Sequence, residues 1–189
     1  MSAGFAFLST ERLYLRPLLL TDVQGTYPQW FNDEDVGAAN THHVFPFTPS
    51  DAEAYIRALH ASRNAIVLAI VLREGDRHIG NTSLQNIEWV HRSADFAIVI
   101  GDKGVWNQGY ATECARLMFH HGFSTLNLHR IAFGTFDNNE AVKRFAINLG
   151  MKEEGCRREA VYKNGRYLDV VEYGVFQAEF EATQGGGNK

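Results

Sequence analysis

Residues 98–113 read IVIGDKGVWNQGYATE, and the order of residue types in this stretch decides the fold prediction. The β-branched run at its start predicts a strand, and the glycines after it predict a loop. A helix should begin near Ala111 and continue to Leu126, since apolar residues there keep helical spacing. The free N–H groups at a helix start can bind phosphate. The stretch therefore predicts either a plain strand-to-helix connection or a phosphate site on residues 108–112.

The rest of the chain continues this alternation of strands and helices. The pattern predicts strands at 13–16, 66–72, 78–87, 94–100 and 128–136, and helices at 21–31, 49–59 and 140–149. Asn164-Gly165 predicts a closing hairpin. Strands that follow one another directly favour antiparallel pairing, whereas a strand–helix–strand step favours a parallel crossover. We therefore expect one α/β domain with a mixed, mostly antiparallel sheet flanked by helices.

Composition disfavours several classes of protein. The net charge is −4 over 189 residues without a block of Lys and Arg, so no nucleic-acid partner is expected. No apolar run reaches the roughly 20 residues of a membrane span, so no membrane partner is expected. Cys114 and Cys156 lack metal-ligand spacing, and free thiols suit a reducing cytoplasm. Adjacent histidines, as in His42-His43, cannot share a helix face, so no metal is predicted.

Several motifs in order resemble one known family. Residues 106–113, WNQGYATE, resemble the acetyl-CoA loop of the GNAT superfamily of N-acetyltransferases, in its RimJ/RimL-like branch. Further similar motifs are TERL at 10–13, IGN at 79–81, ADF at 94–96, HRI at 129–131 and NGRY at 164–167. The resemblance covers residues 10–177, which we take as the domain. Residues 178–189 are then expected to form a disordered tail.

The resemblance implies acetyl-CoA as cosubstrate, bound where two parallel strands splay apart. It implies that the pantetheine arm pairs with the fourth family strand near Ile98 and Ile100, and that Asn139 hydrogen-bonds the arm. It implies that the pyrophosphate lies on the loop and first helical turn. The residues of that cradle are Gln108, Gly109, Tyr110, Ala111 and Thr112.

For the general base, the resemblance favours Asp95 first and Glu159 second, with a structural carboxylate as the alternative for each. Alternation places Asp95 on the strand face opposite Phe96. The tyrosine and serine that relatives use to protonate the departing thiolate are replaced by Ala146 and Val142. Water, or a tyrosine from elsewhere in the chain, would have to supply that proton.

The resemblance implies that the acceptor contacts residues 27–47, a helix–loop region that covers the acceptor side of the cleft in this superfamily. Its candidate binding residues are Trp30, Phe31, Asn40 and His43, although these aromatics could equally anchor helices to the sheet. Acceptors in the branch include protein N-termini, amino-sugar nucleotides and small amines. The expected function is N-acetylation of a primary amine by a monomer or homodimer. The alternatives are an amino-sugar nucleotide N-acetyltransferase and a non-catalytic CoA-binding regulatory module.

Overall fold

The computed structural model describes residues 5–38, 40–59 and 61–184. Eight strands alternate with six α-helices along this part of the chain. The strands are β1 Leu8–Ser9, β2 Leu13–Pro17, β3 Ile66–Leu72, β4 Arg77–Glu88, β5 Ser93–Ile100, β6 Arg130–Phe136, β7 Lys152–Lys163 and β8 Arg166–Phe176. The helices are α1 Tyr27–Trp30, α2 Glu34–Gly37, α3 Pro49–Leu59, α4 Tyr110–Ser124, α5 Glu140–Asn148 and α6 Gln177–Gln184. None of these helices is long and apolar enough to cross a membrane.

The strands form a single mixed sheet in the order β1-β2-β3-β4-β5-β6-β8-β7. Every neighbouring pair is antiparallel except β5 and β6, which are parallel and are connected through α4. The hairpin β7–β8 turns at Asn164 and Gly165, with φ of 51° and 81° as a two-residue turn of this kind requires. The predicted mixed sheet and its parallel crossover are therefore confirmed.

The sheet has a hydrophobic core on each face. In β3, Leu68 and Ile70 point to one core while Ala69 and Val71 point to the other, which explains why the strand is apolar throughout. The larger core contains residues of α4, α5 and α6, and the smaller core contains residues of α1, α2 and α3. The sheet is therefore the middle layer of three.

Two boundaries differ from the sequence prediction. The helix predicted at 21–31 is divided into a 3-10 turn, Leu20–Gln24, and the short helix α1. The predicted disordered tail also begins too early, because α6 occupies residues 177–184 and buries Phe180 in the larger core. A single large apolar side chain is a weak signal in a polar segment, and its burial depends on a tertiary contact. The rest of the predicted tail, residues 185–189, lies outside the described residues.

A buried ion pair holds the 3-10 turn against β2. Arg16 donates from both terminal nitrogens to the Asp22 carboxylate, at 2.8 and 2.7 Å, and the Leu19 amide donates to the same carboxylate at 2.8 Å. Burial alone would raise the pKa of Asp22, but these hydrogen bonds outweigh it and hold the pKa below its usual value. Asp22 is therefore a structural carboxylate.

We predict that Asp22→Asn strongly destabilises the protein, because it leaves the Arg16 guanidinium buried without a counter-charge. The expected loss in the free energy of unfolding is roughly 3–5 kcal/mol by urea denaturation. Glu53→Gln, which breaks the exposed pair between Glu53 and Arg57, is the matched control and should change stability little. Equal effects of the two substitutions would contradict the structural role of Asp22.

The effect of Asp22→Asn should also depend on pH. Because the folded-state pKa of Asp22 is depressed, its stabilising contribution is complete above the unfolded-state pKa of about 3.9. It is lost as pH falls through the lower folded-state pKa. The difference in unfolding free energy between wild type and Asp22→Asn should therefore shrink below about pH 4. A difference that stays constant into stronger acid would count against this account.

Candidate active site

The parallel strands β5 and β6 are paired only over their first three residues. Their register runs from Ser93 opposite Arg130 to Asp95 opposite Ala132 and then stops, although both strands continue. β5 stays paired with β4 as far as Ile100, and β6 stays paired with β8 as far as Phe136. The sheet therefore opens between β5 and β6, while each of these strands stays paired with its other neighbour. The predicted splay of the parallel pair is present in the structure.

A cavity of about 750 Å³ lies in this opening. Its apolar lining comes from both strands and from α5, with Ile98, Phe133, Val142 and Phe145 among its members. Its polar lining includes His42, Gln85, Asp95, Thr135, Arg157 and Glu172. The cavity thus brings together parts of the chain that are far apart in sequence.

Asp95 lies where the two strands part. It is the last residue of β5 that pairs with β6, its side chain is exposed, and it lines the cavity. Its carboxylate accepts a hydrogen bond from Asn86 Nδ2 at 2.9 Å. Within the described part of the chain it has no ion-pair partner. Asp95 is therefore a carboxylate that can accept a proton from a bound ligand.

The second carboxylate of the cavity has a different environment. Glu172 on β8 accepts a hydrogen bond from Arg157 Nε at 2.6 Å, so its charge is already balanced. Glu159, the other predicted base, lies at a bulge in β7 with φ of 49° and is exposed. Its amide donates to Asp169 at 2.8 Å, and it is not among the residues that line the cavity.

The start of α4 has the geometry expected of an anion site. Gly109 immediately precedes the helix with φ of 82°, and Asn107 has φ of 62°. In the described residues, the N–H groups of 108–112 have no hydrogen-bond acceptor. Gln108 and Gly109 are exposed, and residues 110–112 are half-buried. These donors, together with the positive end of the helix dipole, suit a phosphate group.

The loop before α4 is fixed by an arginine from the start of the chain. Arg12 donates to the Gln108 carbonyl at 3.1 Å and from Nε to Glu113 at 2.7 Å. The Arg12 guanidinium also lies 4.5 Å from the centre of the Tyr110 ring. Because Glu113 is in the first turn of α4, these contacts join β2 to the helix start. The backbone donors are therefore positioned before any ligand binds.

Asn139, predicted to contact the cofactor arm, is the N-cap of α5. Its side-chain oxygen accepts a hydrogen bond from the Val142 amide at 3.2 Å. Its Nδ2 group donates to no acceptor in the described part of the chain. Asn139 is not among the residues that line the cavity, whereas Val142, one turn further on, is. A capping role is therefore present, and one donor of the side chain is left for a ligand.

The predicted acceptor residues occupy two different environments. Trp30 is buried in the smaller core, and Phe31 packs on its edge, so both anchor α1 to the sheet. Asn40 lines the cavity, whereas His43 is exposed outside the cavity lining. His42 lines the cavity in place of His43, and its ring centre lies 4.7 Å from that of Phe31. His42 is exposed at the surface, but partial desolvation of its ring lowers its pKa, and the Lys163 ammonium lowers it further.

Sequence reasoning missed several cavity residues, although some gave a signal. Glu172 is a charged residue in the otherwise apolar run VVEYGV, which was visible in the sequence. Its place in the cavity depends on the register of β6 and β8, where it lies opposite Gly134. Sequence alone does not specify that register. Among the described residues, no group of three His, Cys, Asp or Glu side chains could hold a metal ion.

Comparison with known proteins gives matches over most of the chain. Residues 12–152 match the family model described as "Acetyltransferase (GNAT) domain". YoaA of Bacillus subtilis (strain 168), an uncharacterized N-acetyltransferase, is 29% identical over 177 residues, which cover 90% of this chain and 97% of YoaA. The spermidine N(1)-acetyltransferase of Escherichia coli (strain K12) is 31% identical over 103 residues, covering 54% of this chain and 55% of that protein.

A solved structure shares the same fold. The crystal structure of spermidine N-acetyltransferase from Vibrio cholerae in complex with CoA and spermine matches with a TM-score of 0.83 at 23% identity. The match covers 91% of this chain and 99% of that one. It confirms the predicted mixed α/β fold class.

We predict that Asn139→Ala lowers stability by about 1 kcal/mol, because the Val142 amide loses its cap. Asn138→Ala, at the exposed neighbouring position, is the matched control and should change the unfolding free energy less. Asn139→Asp keeps an oxygen acceptor and should retain wild-type stability. If Asn139→Ala were as stable as Asn138→Ala in urea denaturation, the cap would contribute nothing.

Proposed function

The chain belongs to the GNAT acetyltransferase family, and on that premise we propose that it acetylates a primary amine bound in the cavity beside Asp95. The family match confirms the predicted enzyme class, an acetyl-CoA-dependent N-acyltransferase. The observation that supports this acceptor site is the parting of β5 and β6 at Asp95, with a cavity between the strands. The Asp95 carboxylate, which has no cationic partner among the described residues, lies at the point where they part.

The cosubstrate fits the residues present. The N–H groups at the start of α4 would hold its phosphates. They belong to Gln108, Gly109, Tyr110, Ala111 and Thr112. Within the part of the chain that the structure describes, the β6-facing edge of β5 beyond Asp95, which includes Ile98 and Ile100, has no strand partner, and it would pair with the amide groups of the pantetheine arm. Asn139 would donate to that arm from Nδ2. Bound there, acetyl-CoA supplies the activated acetyl group.

Asp95 is the residue that we propose as general base. A protonated amine cannot attack a carbonyl carbon, so a group in the cavity must remove its proton directly or through a water. Glu172 is less suited, because Arg157 already neutralises its charge. Glu159 is outside the cavity lining. The positions on α5 that carry a tyrosine and a serine in relatives are Ala146, which is buried, and Val142, which lines the cavity. Neither has a hydroxyl that could protonate a departing thiolate, so water is the proposed proton source.

We propose a small aliphatic amine as the preferred acceptor, with a protein N-terminus as the alternative that the experiment separates. The support is the charge of the lining, in which Asp95 favours a cation, together with the small-amine substrate named for the Escherichia coli relative. The ordered motifs support placing the chain in the RimJ/RimL-like branch. A product screen by mass spectrometry with spermidine, propylamine, peptides with free N-termini and an amino-sugar nucleotide tests the acceptor. Activity on peptides alone would make a protein N-terminus the preferred acceptor.

We predict that Gly109→Val abolishes the rise in melting temperature caused by acetyl-CoA, which binds only the folded state. Gly109 has φ of 82°, so a β-branched side chain strains the loop, and its Cβ would lie 3.7 Å from Arg12 Nη2, in the loop that presents the backbone donors. Gly165→Val is the matched control, because Gly165 has φ of 81° in the open hairpin turn. Both variants should lose stability, but only Gly109→Val should lose the ligand effect. A retained shift in Gly109→Val would move the phosphate site elsewhere.

We predict that Asp95→Asn lowers kcat by about 10²–10⁴-fold while the acetyl-CoA effect on melting temperature is kept. The loss should become smaller as pH rises, because more of the amine is then unprotonated in solution. Glu159→Gln is the control and should turn over at close to the wild-type rate. If Asp95→Asn kept the wild-type rate and Glu159→Gln were slow, Glu159 would be the general base instead of Asp95.

A further inference from the structure

The side chain of Lys163 connects the hairpin β7–β8 to the segment after α2. Lys163, the last residue of β7, donates from Nζ to the Gly37 carbonyl at 2.7 Å and to the Asn40 carbonyl at 2.8 Å. Its side chain is half-buried. Gly37 and Asn40 lie more than 120 residues away in the chain, so the contact joins elements that only the tertiary fold brings together.

The segment that Lys163 holds is one wall of the cavity. Asn40, Thr41 and His42 all line it, and Val161, two residues before Lys163, lines it from the hairpin side. Within the segment, the Asn40 side chain donates to the Val36 carbonyl at 2.8 Å and accepts from the His42 amide at 2.8 Å. The carbonyls that Lys163 binds therefore belong to a turn with its own internal hydrogen bonds.

Among the described residues, few other contacts hold this turn against the rest of the protein. Its residues have little buried apolar surface, since Thr41, His42 and His43 are exposed and Val44 and Phe45 are 72% and 82% exposed. His42 contacts the ring of Phe31, but one aromatic edge contact is weak compared with two hydrogen bonds from a charged donor. Two hydrogen bonds of 2.7 Å between the Asn32 side chain and the Phe47 backbone hold the far end of the segment, so Lys163 is the contact that positions its first residues, at Asn40.

We infer that Lys163 is a positioning residue for the acceptor: it fixes the wall formed by Asn40, Thr41 and His42 and thereby sets which amines the cavity accepts. This inference rests on the proposed function, because an acceptor KM has meaning only if the chain acetylates an amine. Lys163 itself is not among the residues that line the cavity, so it acts through the wall. The proposed acetyl-CoA site is formed by other elements, the start of α4 and the edge of β5.

The test compares Lys163→Met, Lys163→Arg and the control Lys152→Met, which removes a lysine from the same strand at an exposed pair with Glu179. The panel amine with the highest kcat/KM serves as acceptor. Lys163→Met should raise the acceptor KM about tenfold, as expected for lost hydrogen bonds from a charged group. The KM for acetyl-CoA and kcat should stay near wild type. Lys163→Arg, whose guanidinium keeps several donors, should restore much of the acceptor KM.

A second measurement does not depend on the acceptor. Amide hydrogen exchange at residues 40–45 should become faster in Lys163→Met and stay unchanged in Lys152→Met. If wild type acetylates no amine but the exchange changes as expected, the proposed function fails while the contact stands. A wild-type acceptor KM and wild-type exchange in Lys163→Met would overturn the inference. If Lys163→Met does not fold, Lys163→Gln replaces it under the same two criteria.

Discussion

The backbone groups of β5 and β6 beyond Asp95 and Ala132 lie in the middle of a sheet without pairing to each other, and the site depends on this constraint. Buried N–H and C=O groups need partners, so an opening inside a sheet persists only where water or a ligand satisfies them. The outer edges of both strands are held by β4 and β8, which keeps the opening from closing. Phe145 of α5 lies 6.2 Å from Phe96 and 6.0 Å from Phe133, ring centre to ring centre, and so packs against both strands near their last pair.

The two sides of the opening use different chemistry. On the proposed function, backbone groups would form most of the cosubstrate side, at the edge of β5 and the start of α4, and their geometry follows from the fold and a few residues such as Gly109. Side chains would form the acceptor side, and those that line the cavity come from β4 to β8, α5 and the turn after α2. A backbone site of this kind leaves a motif in the sequence, whereas side chains gathered from distant elements give little information on the acceptor.

Local patterns predicted most elements because local physics determines them. The apolar run of β3 and the Asn164-Gly165 turn each depend on neighbours in sequence, and each is present in the structure. The predictions that failed depend on distant contacts: the break before α1 accompanies the pairing of Asp22 with Arg16, and α6 forms where Phe180 reaches the core. Trp30 was grouped with acceptor residues because an aromatic side chain suits a core and a binding site equally well.

The carboxylates show what the structure adds to the candidates for a general base that the sequence offers. Sequence alone presents Asp22, Asp95, Glu159 and Glu172 as residues of one kind. The structure pairs Asp22 and Glu172 with arginines and places Glu159 on an exposed bulge. Asp95 alone among these four combines a place in the cavity lining with the absence of an ion-pair partner in the described residues.

The short helix α2 is held at both ends by lysines from opposite sides of the site. At its start, Lys103 from the loop before α4 pairs with Asp33 at 2.9 Å and Asp35 at 2.8 Å, and at its end Lys163 binds the Gly37 carbonyl. Exposed ion pairs such as those of Lys103 contribute little to stability, but they fix geometry when several charges converge. One four-residue helix therefore connects the loop before α4 to the wall of the cavity. On the proposed function, the position of α2 would relate the cosubstrate loop to the acceptor wall, and direct transfer requires that two bound substrates be held close together.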